Sequence, residues 1–244
     1  MFRFFHRDVN IIEAGWLRGM SDIHCHLLPG VDDGVADIEE SLELMHLMRE
    51  CGICRVSFSP HVFSLYPNNN STTLRERFDT VKPIYQEEGM PCFLGGEYMI
   101  DEHFEERIAE PLLHIGTSDR LLVETSFAAP AYNFIEHLFL PFTYGAVPVV
   151  AHPERFLFLS MEEYDKIKYN GCLFQLNLFS LCGMYGESVR KRATQLLKEG
   201  YYDYVGTDMH KPEVLRKFVP RAVMPRSFER PIRTLIEAND TLFS

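Results

Sequence analysis

The stretch SDIHCHLLPGVDDG, Ser21 to Gly34, opens as a short β-like run and passes into a loop with two further aspartates, Asp32 and Asp33. Along a strand, residues i and i+2 face one side and i+1 the other. His24 and His26 therefore converge on one point, and Cys25 between them turns away. The same design recurs down the chain. Strand-like runs are predicted at Ser21–His24, Arg55–Ser59, Cys92–Gly95, Leu121–Glu124, Pro148–Ala151, Leu173–Leu176 and Tyr204–Thr207. Helical patterns fall between them, at Ile38–Glu50, Thr73–Glu88, Phe104–Ala109, Ala131–Leu140, Glu162–Tyr169 and Ser188–Lys198, with a last one at Phe228–Ala238. Seven β-then-α repeats predict an α/β fold with a parallel sheet, and closure into a TIM-like barrel leaves no exposed edge.

In such barrels the chemistry collects where strands end and the next loops begin. The second run ends in Ser59-Pro-His61, the third in Gly96-Glu97, the fourth in Val123-Glu124. The fifth ends in Ala151-His152-Pro-Glu154-Arg155 and the seventh in Thr207-Asp208-Met-His210. One strand-end histidine is ordinary. Five histidines and four carboxylates at the ends of six strands are not. Imidazole and carboxylate without thiolate suit manganese, iron(II) or zinc. Nine such groups exceed one ion and fit two or three sharing a bridging carboxylate. Three divalent cations, four carboxylates and one hydroxide leave roughly +1, which favours an anionic substrate such as a phosphomonoester. Metals also acidify bound water from about 16 to near 7 and so supply a nucleophile. Arg155, close behind His152, is expected to hold the phosphate as a two-pronged fork.

Cysteine chemistry is excluded on spacing. A cysteine-dependent tyrosine phosphatase needs arginine six residues after its nucleophile. Val31, Ser57, Pro60, Tyr98, Leu178 and Ser188 stand at those positions for the six cysteines. Cys51-Gly-Ile-Cys54 has redox or zinc spacing but no second pair to complete a zinc site, and is taken as a helix-to-strand corner. His6, His46, His103, His114 and His137 lie in the first residues or in and beside helical patterns, and are assigned to surface or packing.

The 244 residues are 46% hydrophobic with a formal net charge of −11. That composition sustains one sizeable core. The acidity and the lack of a basic run argue against nucleic acid or anionic membrane as partner. No apolar run long enough for a membrane span or a signal peptide is found, so the expectation is cytoplasmic, with reduced thiols. Residues 1–20 precede the first run and hold the only tryptophan, Trp16. They are expected to form an arm that packs on the barrel or on a neighbouring subunit, leaving 21–244 as one catalytic domain. A homo-oligomer stays open.

The order DxHxH, PH, GxE, VE, AHPER and TDMH resembles the polymerase-and-histidinol-phosphatase (PHP) superfamily of metal-dependent phosphoesterases. Within it the chain is most similar to the bacterial protein-tyrosine phosphatases of capsule and exopolysaccharide clusters, the CpsB/YwqE type, over about Met20 to Leu242. The resemblance implies a distorted (β/α)7 barrel with three metals, manganese foremost. By motif, His24, His26, Glu97 and Asp208 hold the first; Glu97 as bridge with Glu124 and His152 the second; Asp33, His61 and His210 the third. Arg155 matches the phosphate-binding arginine. A second arginine expected after the DMH motif is absent: Lys211 stands there, and Arg216 and Arg221 are the nearest. The implied substrate is phosphotyrosine on the tyrosine-rich tail of a polysaccharide-export kinase, with aromatic walls sought in Phe63, Tyr66, Phe156 and Phe158. A small-molecule phosphatase such as histidinol phosphatase, and a non-catalytic metal-stabilised binding protein, are the alternatives.

Overall fold

The computed structural model describes residues 8–244; residues 1–7, which include His6 and the charged start, lie outside the described residues. Eleven strands are described: β1 (Asp8–Asn10), β2 (Met20–Cys25), β3 (Ile53–Phe58), β4 (His61–Val62), β5 (Cys92–Leu94), β6 (Glu97–Met99), β7 (Arg120–Glu124), β8 (Val147–Ala151), β9 (Leu173–Asn177), β10 (Tyr204–Gly206) and β11 (Val223–Pro225). The helices are α1 (Ile38–Glu50), α2 (Ser71–Glu87), α3 (Phe104–Ile108), α4 (Phe134–His137), α5 (Leu140–Thr143), α6 (Met161–Tyr169), α7 (Glu187–Glu199), α8 (Pro212–Phe218) and α9 (Glu229–Asp240).

All seven expected runs are present and parallel, but they do not close into one barrel ladder. Strands β2, β3 and β5 form one sheet; β10, β9, β8, β7, β6 and β4 form a second in that order. Two runs change sheet part-way. The run from β3 to β4 breaks at Ser59-Pro60, where proline has no N–H to donate. The run from β5 to β6 breaks at Gly95-Gly96, where a Cβ on Gly95 would press within 3.2 Å of the His114 carbonyl. At the other seam β2 meets the end of the β10 run through one bridge, Cys25 to Met209. There β2 carries a register shift between Asp22 and Cys25. Bulges of this kind redirect side chains beside functional sites.

Local signals account for the helices. Asp37 caps α1 by accepting from the Glu40 N–H at 2.9 Å, and Glu39 and Glu40 sit in the first turn with Arg49 in the last, as the helix dipole favours. Ser41, Leu44, Met45 and Met48 recur at helical spacing and are the residues α1 buries. Gly52, at φ +105°, turns the chain into β3, so the Cys51–Cys54 stretch is the corner expected. The helix predicted at Ala131–Leu140 is instead α4 and α5. Pro141 stands in the first turn of α5, where it suits a helix start but cannot donate a continuing hydrogen bond. Three elements were not expected: α8, begun by Pro212, and the antiparallel pair of β1 with β11. Trp16 is 1% exposed and belongs to the main core, as do Leu17, Met20 and Cys51. Among the described residues, no helix is long and apolar enough to cross a membrane.

Candidate metal centre

The strand ends bring the nine expected residues to one mouth. Glu97, at the start of β6, lies at their centre. Its Oε1 is 3.2 Å from His24 Nε2 and 3.1 Å from His152 Nε2; its Oε2 is 3.4 Å from His26 Nε2 and 3.1 Å from His61 Nδ1. Asp208 Oδ1 stands 3.3 Å from His24 and 3.5 Å from His26. Glu124 reaches His61 Nδ1 at 3.1 Å and His152 Nε2 at 3.7 Å. Asp33 Oδ1 faces His61 Nε2 at 3.4 Å and His210 Nε2 at 3.5 Å. Donor atoms thus cluster as His24, His26, Glu97 and Asp208; as His26, Asp33, His61 and His210; and as His61, Glu97 and Glu124. The first group coincides with the set implied by motif. The second adds His26 to its set, and the third contains His61 where the motif implied His152.

A metal fits these residues better than hydrogen bonding does. His24 Nε2, His26 Nε2, His61 Nδ1, Glu97 Oε2 and Glu124 Oε1 are buried and have no hydrogen-bond partner among the described residues. Each orphaned buried polar atom costs about 1–3 kcal/mol, and a bound ion is a recognised way to satisfy it. The charges agree. Burial alone would raise the Glu97 carboxyl, but His24 and the other imidazoles hold it well below the usual range. Burial alone would lower His24, yet Glu97 and Asp208 raise it well above an ordinary imidazole. For His26, burial is overcome by the Asp32 carboxylate and the ring is pushed up to about 10. Carboxylates that draw protons onto facing imidazoles attract a cation equally, and a metal entering such a site displaces those protons. Two of the candidate ligands, His152 at φ +35° and Asp208 at φ +55°, hold left-handed backbone, a strain of about 1–3 kcal/mol each that surrounding structure must enforce.

Residues outside the nine expected ligands hold the candidate ligands in place. Asp32 accepts from His26 Nδ1 at 2.8 Å and from the backbone N–H groups of Gly34 and His61. Gln175 Oε1 pairs with His24 Nδ1 at 2.9 Å. Such partners fix the ring that a metal needs. Asp22, the first aspartate of the quoted stretch, accepts from the N–H groups of His24 and Thr207 and from the Thr207 hydroxyl, pinning β2 to β10. Burial lifts its carboxyl to about 6 despite the Thr207 bonds. Asn177 Nδ2 and the Tyr185 hydroxyl each donate to Asp208 Oδ2 at 3.1 Å. Gln175 and Asn177 are the polar residues of the FQLN run in β9, a signal the sequence offered for these two.

Arg155 opens onto the same cavity, of about 430 Å³, with Asp33, His61, Glu97, Glu124, His152 and Asp208. Its guanidinium lies 4.7 Å from the Phe127 ring and 4.5 Å from the Tyr185 ring. The expected aromatic walls are partly corrected. Phe63 lines the cavity, Phe156 is wholly buried in the core, and Phe127 and Tyr185 supply walls that were not foreseen. Lys211, in place of a second arginine, pairs with Glu40 at 3.2 Å, and Arg216 pairs with Glu43. Cys25 points away as expected, its thiol 3.5 Å from the Ser57 carbonyl and pushed well up by burial. His46, His103 and His137 pair with Glu88, Glu106 and Glu105, outside the three donor groups.

Comparison with known proteins points one way. Tyrosine-protein phosphatase YwqE of Bacillus subtilis is 30% identical over 200 residues, covering 78% of this chain and 77% of the relative. Tyrosine-protein phosphatase CpsB of Streptococcus agalactiae is 27% identical over 232 residues, covering 89% and 96%. Among solved structures, one from the pair YwqE of Bacillus subtilis and CpsB of Streptococcus pneumoniae, described as unique metal-dependent tyrosine phosphatases, matches with a TM-score of 0.78. It is 24% identical over 92% of this chain and 94% of that one, and speaks for the fold. The family model for capsular polysaccharide synthesis, CpsB/CapC, matches residues 20–220, and the chain belongs to that CpsB/CapC family.

Proposed function

We propose that this chain is a metal-dependent protein-tyrosine phosphatase. The observation that carries the reading is Glu97: one buried carboxylate faces four histidines from three strand ends, at a mouth that also presents Arg155. Relatives named as tyrosine-protein phosphatases and membership of the CpsB/CapC family support it. His24, His26, Asp33, His61, Glu97, Glu124, His152, Asp208 and His210 would hold divalent ions, three per chain with manganese foremost. When bound, such ions supply Lewis acidity toward a phosphoryl oxygen and a water acidified to near 7. The chain's own residues do the rest. Arg155 donates to the phosphate and is kept in plane by Phe127 and Tyr185. Gln175 and Asp32 keep His24 and His26 in the tautomer that leaves each Nε2 free to bind metal. Phe63, Met184 and Tyr185 supply apolar walls for the tyrosyl ring. The reaction adds water at phosphorus and releases tyrosine and inorganic phosphate.

The substrate is proposed to be phosphotyrosine on a kinase that controls polysaccharide synthesis, as the family's name suggests, and the site of action the cytoplasm. In architecture, the seven parallel runs support a distorted (β/α)7 barrel of the PHP type, spanning 21–244, with 1–20 as its arm. An assay of phosphotyrosine peptides against histidinol phosphate, with manganese and with a chelator, tests the reading. Preference for the peptides that disappears with chelator is the expected result. Preference for histidinol phosphate would replace it with small-molecule hydrolysis, and no turnover of either with a binding role.

A further inference from the structure

Beside the metal cavity lies a second one, of about 560 Å³, and Phe63, Met99, Glu124 and Phe127 wall both. Its further lining is largely apolar: Ile100, Ala129, Ala131 and Tyr132 contribute to it. Tyr132 is 89% exposed and Phe127 59%, so this wall of the mouth offers solvent two large rings on one short loop. Two residues of the lining, Thr125 and His137, carry a buried polar atom with no hydrogen-bond partner among the described residues. Thr125 is 1% exposed, and its hydroxyl has no hydrogen-bond partner among the described residues. Thr125 directly follows candidate ligand Glu124 at the end of β7. The carboxylate of Asp101, also in the lining, is already engaged by Arg107 at 2.6 Å and by Ser64, while Glu102 and candidate ligand Glu124 are further carboxylates of the lining.

From this we infer that the second cavity is a peptide subsite, taking an apolar side chain immediately next to the phosphotyrosine. The inference rests on the phosphatase reading above and names what else the substrate must present. Neighbouring residues of a peptide lie 3.8 Å apart at Cα, and where the backbone turns rather than extends, their side chains reach the same side. A peptide whose phosphotyrosine enters the metal cavity must therefore bring its neighbour across the shared wall of Phe63, Met99 and Phe127. An apolar side chain there buries itself against Ile100, Ala131 and Tyr132. Shared walls and the two exposed rings of Phe127 and Tyr132 together fit a peptide better than a small ester.

The test compares two phosphotyrosine peptides, one with leucine on both sides of the phosphotyrosine and one with glycine on both sides. p-Nitrophenyl phosphate serves as a third substrate that reports the metal centre alone. In the unaltered protein with manganese, the leucine peptide is expected to exceed the glycine peptide in kcat/KM by roughly tenfold or more, the scale of pocket discrimination for apolar groups. Ala131→Trp, which fills the cavity, should bring that ratio close to one. Ala129→Trp, at an exposed position on the rim, serves if the first variant does not fold. A ratio near one in the unaltered protein, or a ratio that survives the tryptophan, overturns the subsite while the phosphatase stands. Absence of p-nitrophenyl phosphate and peptide hydrolysis in the unaltered protein overturns the phosphatase reading and the subsite with it.

Discussion

Arg155 places Nη1 3.3 Å from Asp208 Oδ2, on the side of that carboxylate turned away from the histidines. Asp208 is thereby divided. Oδ1 faces His24 and His26, and Oδ2 takes Arg155, Asn177 and Tyr185. Glu154, next to Arg155 in the chain, is not the partner. It is wholly buried and accepts from the Asn177 N–H and the Tyr202 hydroxyl, both at 3.0 Å, anchoring the turn that carries His152 and Arg155.

Because Asp208 keeps two other donors, Arg155→Ala should leave metal content close to unchanged. Loss of a charge-assisted contact to phosphate is expected to lower kcat/KM for phosphotyrosine peptides by about 2–3 kcal/mol, or roughly 30- to 150-fold. Arg155→Lys should recover only part, since an ammonium lacks the planar fork. An alanine variant that loses thermal stability and keeps its kcat/KM would assign Arg155 to Asp208 alone.

Glu97→Ala removes the one group that faces four histidines, and should be the worst of the carboxylate substitutions for both bound metal and turnover. His46→Ala is the matched control, since His46 is half-exposed and paired only with Glu88. Elemental analysis of the two purified variants separates them. Full metal in the Glu97 variant would remove it from the centre.

Asp32 and Asp33 should differ in kind. Asp32→Ala leaves the donor atoms in place but releases His26 Nδ1, so metal affinity is expected to fall about 10- to 100-fold with some activity restored by excess manganese. Asp33→Ala deletes a donor that faces His61 and His210, and excess metal should restore less. Metal titration followed by calorimetry distinguishes them; identical isotherms would refute the division.

Gly34 tolerates no side chain. A Cβ there would meet the His26 carbonyl at 2.3 Å and His26 Cβ at 2.6 Å, both fixed by the strand. Gly34→Ala should destabilise by about 1–3 kcal/mol as the turn is forced away. It should also weaken metal binding, because the same turn carries Asp32 and Asp33. Thermal unfolding with and without manganese measures both effects.

All six cysteines are free, and only Cys54 is exposed. Cys92 and Cys172 are further guarded by burial, which lifts their thiols to about 11 and about 12. A thiol-alkylating reagent at neutral pH should therefore modify Cys54 first and spare phosphatase activity, whereas a chelator should abolish it and manganese restore it. Inactivation by alkylation in folded, metal-loaded protein would sink the metal mechanism.

Alternation along a strand is local, so the sequence alone determined that His24 joins His26 and that Cys25 faces away, whereas Asp208, at φ +55° beyond the end of β10, falls in a different donor group from His210. Periodicity is equally local, and the seven parallel runs and α1 followed from it. What needed the tertiary structure depends on groups distant in the chain. Asp32 lies close enough in sequence to be suspected, but Gln175 meets His24 across 151 positions and Asn177 meets Asp208 across 31. No spacing rule links such pairs, since strand order brings them together. The same holds for the sheet. Each run was legible, but whether the ladder closes depends on Pro60 lacking a donor, on the tight approach at Gly95 and on the shifted register of β2. These are constraints between neighbouring strands, and a chain read one residue at a time does not contain them.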